Sequence, residues 1–113
     1  MIKNICKIRF RSLDIYEVNF TEIAIAHSSN TLEISDEDTP SGKIFNYHLR
    51  AILKQSAFYR FDGLQFNVVL SDNTQIFIGN DDIPALMRCS ENTDGAEISV
   101  DWKYWNEPEF LPL

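Results

Sequence analysis

The stretch Leu64–Gly79, LQFNVVLSDNTQIFIG, holds two apolar runs joined through Ser-Asp-Asn-Thr, and nothing else in the chain narrows the fold so much. It reads as a tight β-hairpin. Asp and Asn tolerate the positive φ angles of a two-residue turn, so Asp72-Asn73 is the expected corner. That corner pairs Ser71 with Thr74, Leu70 with Gln75, Val69 with Ile76, Val68 with Phe77 and Phe66 with Gly79. Because side chains alternate across a strand, one face would carry Leu64, Phe66, Val68, Leu70 and Phe77, and the other Val69, Ile76 and Ile78 beside Asn67. Two apolar faces imply an interior hairpin of a sandwich or barrel. A slip of one residue would move Phe77 to the opposite face.

The rest of the chain reads in the same alternating way. Ile2–Ser12 places Lys3, Lys7, Arg9 and Arg11 on one side with Ile5, and Ile2, Cys6, Ile8 and Phe10 on the other. Further strands are expected over Ile15–Phe20, Glu22–Ala26 and, after a turn at Ser28-Ser29-Asn30, Thr31–Ile34. Ser35–Gly42, SDEDTPSG, has three acids, a Pro and a Gly, and is expected to be a solvated acidic loop. Lys43–Ala57 fits a strand with Phe45, Tyr47, Leu49, Ala51 and Leu53 on one face. It also fits a helix stripe of Phe45, Leu49, Ile52 and Leu53. The period of two covers more residues, so strand is preferred. Asp62-Gly63 is a turn signal. Asp81–Met87 starts either a short helix or an edge segment broken by Pro84. Glu91–Gly95 is a turn, Ala96–Tyr104 a strand, and Asn106–Leu113 an extended tail. The expectation is one all-β, mainly antiparallel domain over residues 1–113, sandwich or barrel-like, with at most one short helix.

Charge and composition limit the partners. A net charge of -7 opposes nucleic acid and anionic membrane as partners, since both want a positive field. Hydrophobic residues at 44% are enough for a packed core. The N-terminus has charges scattered through it and no apolar segment of a secretory signal, and no run is long enough to span a bilayer. Cys6 and Cys89 are expected as free, buried thiols of a reducing compartment, which points to the cytoplasm.

The chemistry-bearing residues are few. The stripe Lys3, Lys7, Arg9 and Arg11 is read as the solvated face of an outer strand, ahead of the alternative of a contact for an acidic partner or a phosphate. Asp36-Glu37-Asp38 and Asn80-Asp81-Asp82 lack calcium-loop spacing, His27 and His48 lack ligand-like spacing with the cysteines, and no nucleophile elbow or phosphate-binding glycine loop is present. No catalytic, cofactor or metal residue is therefore assigned. Of the C-terminal aromatics, Trp102 and Tyr104 are expected in the core with Val100. Trp105 is expected to point the other way, near Phe110. It is either an exposed anchor for another protein, rimmed by Glu107 and Glu109, or part of a tail folded back on its own domain.

The order of Thr39-Pro40-Ser41-Gly42-Lys43, a long alternating strand, a hairpin ending in Ile78-Gly79 and then Ile83-Pro84 resembles small β-rich proteins encoded in prophage and phage structural-gene clusters of gut bacteria. The resemblance covers about residues 36–88 and lacks a long glycine-rich loop after Cys89. It assigns no residue a role, but implies a structural or assembly part of a virion, such as a head–tail connector or tail component. The resulting expectation is a non-enzymatic protein acting through protein–protein contacts, by self-association or with other phage structural proteins, with Asp36, Glu37, Asp38, Trp105 and Phe110 as contact residues. The rival expectation is an immunity-like acidic module that captures a basic partner. A small hydrolase or ligand-binding barrel ranks below both.

Overall fold

The computed structural model describes residues 1–13, 18–26, 30–54, 63–92 and 95–113, with side chains left aside at 91, 92 and 95. Whatever parts of the expectations fall on 14–17, 27–29, 55–62 and 93–94, including His27 and the turn signals at Ser28-Ser29 and Asp62, lie outside the described residues. The strands are β1 (Ile2–Ser12), β2 (Thr21–Ile23), β3 (Thr31–Thr39), β4 (Gly42–Leu53), β5 (Leu64–Leu70), β6 (Thr74–Ile78), β7 (Leu86–Asn92), β8 (Gly95–Tyr104) and β9 (Leu111–Pro112). Among the described residues there is no helix, and so none that could cross a membrane.

The strands form one open antiparallel sheet in the order β7-β8-β4-β3-β1-β5-β6-β9, with β2 also on β1. It folds into two layers because β1 is shared. The first residues of β1 pair with β3, and the rest pair with β5 on one edge and β2 on the other. The core between the layers takes Leu49, Ala51, Ile98 and Val100 from one side and Ile8, Phe66, Val68 and Ile78 from the other, all essentially inaccessible. Burying one such aliphatic or Phe side chain contributes about 1.5–3 kcal/mol. A bridge between Leu64 and Ala85 joins the layers at a second corner.

Two one-residue insertions change the expected faces. In β1, Ile5 pairs with Leu70 but Lys7 with Val69, so Cys6 is the extra residue of a β-bulge. The bulge reverses the alternation. Ile5, Ile8 and Phe10 are buried, whereas Cys6 and Ile2 are exposed, which corrects the expectation that Cys6 is a core thiol. The basic stripe is split as well. Lys3 pairs with Leu32 and shares its side, while Lys7, Arg9 and Arg11 oppose Val69, Asn67 and Gln65 on the outer side.

In the β5–β6 hairpin the register is Phe66 with Ile78, Asn67 with Phe77, Val68 with Ile76 and Val69 with Gln75. This is one residue from the expected pairing. The connection has three residues, Ser71 to Asn73, rather than two. The Asn73 N–H donates to the Leu70 carbonyl at 3.2 Å, and Asn73 adopts φ 65°, the left-handed step that ends a three-residue loop. The Asp72 carboxylate accepts from the Thr74 N–H at 3.2 Å and from its hydroxyl at 2.5 Å. Ile76 and Ile78 thereby enter the core, and Phe77 faces outward, 39% exposed, against the Phe20 ring at 6.0 Å.

The strand reading of β4 holds over Gly42–Leu53, with Tyr47, Leu49, Ala51 and Leu53 buried. Asp81–Met87 forms no helix. The Asn80 side chain accepts from the Ile83 N–H at 2.8 Å to make a turn, and β7 starts after Pro84. Residues 18–20 are not strand.

Candidate protein-contact site

The expected loop Ser35–Gly42 is instead the end of the β3–β4 hairpin, with only Pro40-Ser41 between paired Thr39 and Gly42. Pro presets the corner and Gly42 supplies φ +123°, a backbone that other residues resist. The Thr39 hydroxyl donates to the Gly42 carbonyl at 2.6 Å. The ladder won over composition here because β4 continues the strand and carries β3 with it. Neighbouring strands end earlier. β8 reaches β4 only as far as the pair Phe45–Tyr104, and β1 touches β3 only at Thr31–Glu33. The hairpin end therefore stands clear as a two-stranded ribbon.

Asp36, Glu37 and Asp38 are all exposed on this ribbon. Asp36 and Asp38 continue the inward side of Leu32 and Ile34, past the end of the core. Lys43 lies 3.3 Å from Asp36, and Lys103 3.6 Å from Glu37. The hydrogen bond to Asp36, then the charges of Asp36 and Asp38, hold the Lys43 ammonium above its ordinary range, with Glu107 adding least. Such exposed pairs orient side chains more than they stabilise the fold.

A run of stacked rings leads from the core to this ribbon. Tyr47 and Trp102 centroids lie 4.9 Å apart, Trp102 and Tyr104 4.8 Å apart and nearly parallel, and Tyr104 and Trp105 4.4 Å apart. The Trp102 indole N–H donates to the Ile83 carbonyl at 2.7 Å, and burial pushes the Tyr47 phenol up to about 12. β8 ends at Tyr104 and the chain bends at 105–106, so Trp105 swings onto the Tyr104 ring instead of pointing away from it. It remains 55% exposed.

Where β8 gives out, Gly42–Ile44 of β4 have no strand on that edge among the described residues. A groove of about 310 Å³ opens there, with Ile44, Ile83, Tyr104 and Trp105 as its apolar wall and Thr39, Ser41, Lys43 and Lys103 at its rim. The structure thus brings Trp105 to the hairpin end that carries Asp36, Glu37 and Asp38. Phe110 is elsewhere. It packs on the core beneath the Lys3 ammonium, 4.4 Å from the ring centroid, and the tail ends as β9 on β6. The tail beyond Trp105 thus folds back on its own domain, while Trp105 itself stays exposed. Lys3 also bonds Asp72 at 2.6 Å.

The remaining candidates stay apart. His48 Nδ1 lies 2.6 Å from an Asp101 carboxylate oxygen on the outer face, Cys89 pairs with inward Ile98, and Cys6 sits on the β1 bulge. Among the described residues, no three His, Cys, Asp or Glu side chains form a group able to hold a metal ion. Sequence reasoning missed Ile44, Ile83 and Lys103 as groove residues. The pairing of Phe45 with Tyr104, which ends beside them, joins positions far apart in the chain and leaves no local signal. Comparison with known proteins gives no match: no family model, no curated protein and no solved structure is similar to this chain.

Proposed function

We propose that this is a non-enzymatic structural or assembly protein that works by protein–protein contact, with the groove between the β3–β4 hairpin end and Trp105 as its contact site. The observation that carries the reading is the convergence of three features in one place. A ring stack fixes a half-exposed Trp, an apolar wall lies beside it, and three residues of β4 edge lack a neighbouring strand among the described residues. A preordered aromatic beside desolvatable apolar surface is the usual anchor of a protein interface, and an unpaired edge offers main-chain hydrogen bonds to an incoming segment. The virion-component form of the proposal rests on the resemblance over residues 36–88 alone.

Sedimentation velocity over a wide concentration range tests it. The wild-type chain is expected to self-associate, and Trp105→Ala to weaken that at least tenfold with an unchanged circular dichroism spectrum. A wild-type chain that stays monomeric throughout refutes the assembly reading. One observation favours the second reading, an acidic module that binds a basic protein: Asp38 and Glu107 make no ion pair among the described residues. Binding of a polybasic peptide to a monomeric chain, lost in Asp38→Asn, would support it.

A further inference from the structure

The two ends of β4 carry opposite charge. From Gly42 to Leu53 the strand spans about 36 Å at roughly 3.3 Å per residue, against a longest molecular dimension of 44 Å. At the Gly42 end stand Asp36, Glu37 and Asp38, with Lys43 and Lys103 paired to them and Glu107 close to Lys43, so that carboxylates outnumber cations there among the described residues.

At the Leu53 end lies a second groove, of about 340 Å³, between the β1 bulge and residues 22–26. It forms because the chain leaves β1 after Ile23 and crosses to β4, where Ile25 bridges Leu53. Asn30, itself buried, fixes the crossing. Its side-chain oxygen accepts from the Ile52 N–H at 2.8 Å, its amide donates to the Ala26 carbonyl, and its own carbonyl accepts from the Ile5 N–H at 3.0 Å. The floor is apolar, with Ile5 and Ile25. Lys7 and Lys54 stand at the rim, and Arg9 follows Lys7 on the same outer side. Glu22, 3.6 Å from Lys7, is the one carboxylate among the described residues lining this groove.

We infer that the acidic hairpin end of one copy seats in this basic groove of a second copy. The inference rests on the self-association reading above and names its geometry. Both complementary surfaces belong to one chain, and about 36 Å of strand keeps them from meeting within a molecule. The contact joins unlike patches, so each bound copy still offers one free end of each kind. Such head-to-tail contacts propagate into a ring or a filament. The net charge of -7 makes copies repel at long range. At about 0.15 M salt the screening length is about 8 Å, which removes that repulsion but spares ion pairs in contact; at 1 M it is about 3 Å. Assembly driven this way weakens in 1 M salt, whereas assembly driven by Trp105 alone strengthens.

The test uses the full chain and two double variants at exposed positions, Asp36→Lys with Asp38→Lys, and Lys7→Glu with Lys54→Glu. In sedimentation velocity at 0.15 M salt each variant alone is expected to associate at least tenfold more weakly than wild type. An equimolar mixture is expected to recover association, because the native acidic hairpin end meets the native basic groove and the two reversed surfaces are again opposite in charge. The milder Asp38→Asn and Lys54→Gln should move association in the same direction by a smaller factor. A mixture that stays monomeric, or single variants that assemble like wild type, overturns the inference. If the wild type assembles and only Trp105→Ala disrupts it, the head-to-tail geometry falls while the assembly function stands. A wild type that never assembles removes both.

Discussion

Replacing Gly79 with Ala should destabilise the domain by more than its backbone angle alone requires. Gly79 sits at φ +92° after β6, and an added Cβ would collide with the Leu64 carbonyl oxygen and lie 2.9 Å from the Ala85 nitrogen. Those two groups close the second corner of the fold. The Ala85 N–H donates to the Leu64 carbonyl at 2.9 Å, and the Leu64 N–H donates back at 3.3 Å. Both residues are fully buried, so water cannot replace a bond that is pushed open. Gly42 is the internal control, since it has φ +123° but nothing within 4 Å of a Cβ. Gly42→Ala should cost only the strained backbone, about 1–3 kcal/mol. Gly79→Ala adds two weakened hydrogen bonds at roughly 0.5–1.5 kcal/mol each, for a total of about 2–6 kcal/mol. For 113 residues an unfolding entropy near 2.1 cal/mol/K per residue makes 1 kcal/mol worth about 4 °C. Urea unfolding of both variants, with equal slopes, gives the comparison directly. If Gly79→Ala is no less stable than Gly42→Ala, the Leu64–Ala85 bridge is not closing the sandwich and the argument fails.

Two further outcomes follow from single side chains. Hydrogen bonds from Lys3 and then Thr74 hold the Asp72 carboxyl down at about 2, below its usual unfolded value near 3.9. A depressed carboxyl contributes stability above the unfolded value and loses it as pH falls through the folded one. The urea midpoints of wild type and Asp72→Asn should therefore differ above pH 4 and converge towards pH 2; a constant gap across that window would show that Asp72 is not the linked group. Cys6 is exposed on the bulge and Cys89 half-buried, so maleimide should label the native protein in a fast and a slower phase, and Cys6→Ser should remove the fast one. Loss of the slower phase instead would contradict the bulge.

What the sequence made legible is whatever alternation alone decides. β4, β8 and the existence of the β5–β6 hairpin follow from side-chain period, because each buries a continuous apolar face and a strand's faces are fixed by parity. Parity also explains the failures. At Cys6 one unpaired residue inverts the faces of β1, and at Asn73 one extra loop residue shifts the hairpin, and neither insertion alters the apolar pattern read along a single strand. The acidic end of β3 was misread for a different reason. Asp36, Glu37 and Asp38 resemble a loop by composition, yet a ribbon exposed on both faces has no side-chain requirement, and its ladder with Lys43, Ile44 and Phe45 suffices. Of the expected contact residues, Asp36, Glu37, Asp38 and Trp105 meet at one end of the molecule. Phe110 does not, because the bend after Tyr104 sends the tail across the opening between the layers.

That course of the tail decides how the contact site has to be probed. β6 would be an open edge of the sheet without β9, which pairs Leu111 with Gln75 and Pro112 with Thr74, while the Gln75 amide donates to the Pro112 carbonyl at 3.2 Å. Lys3 holds the same corner from the other side through Asp72 and Phe110. Removing residues 105–113 would take away Trp105 and at the same time expose β6 and the half-buried Phe110 site, and a bare edge pairs with other chains indiscriminately. Association of a truncated chain would then report a new edge, not the native contact. Trp105→Ala leaves Tyr104, β9 and the Lys3 clip in place, so a change in assembly can be traced to the groove.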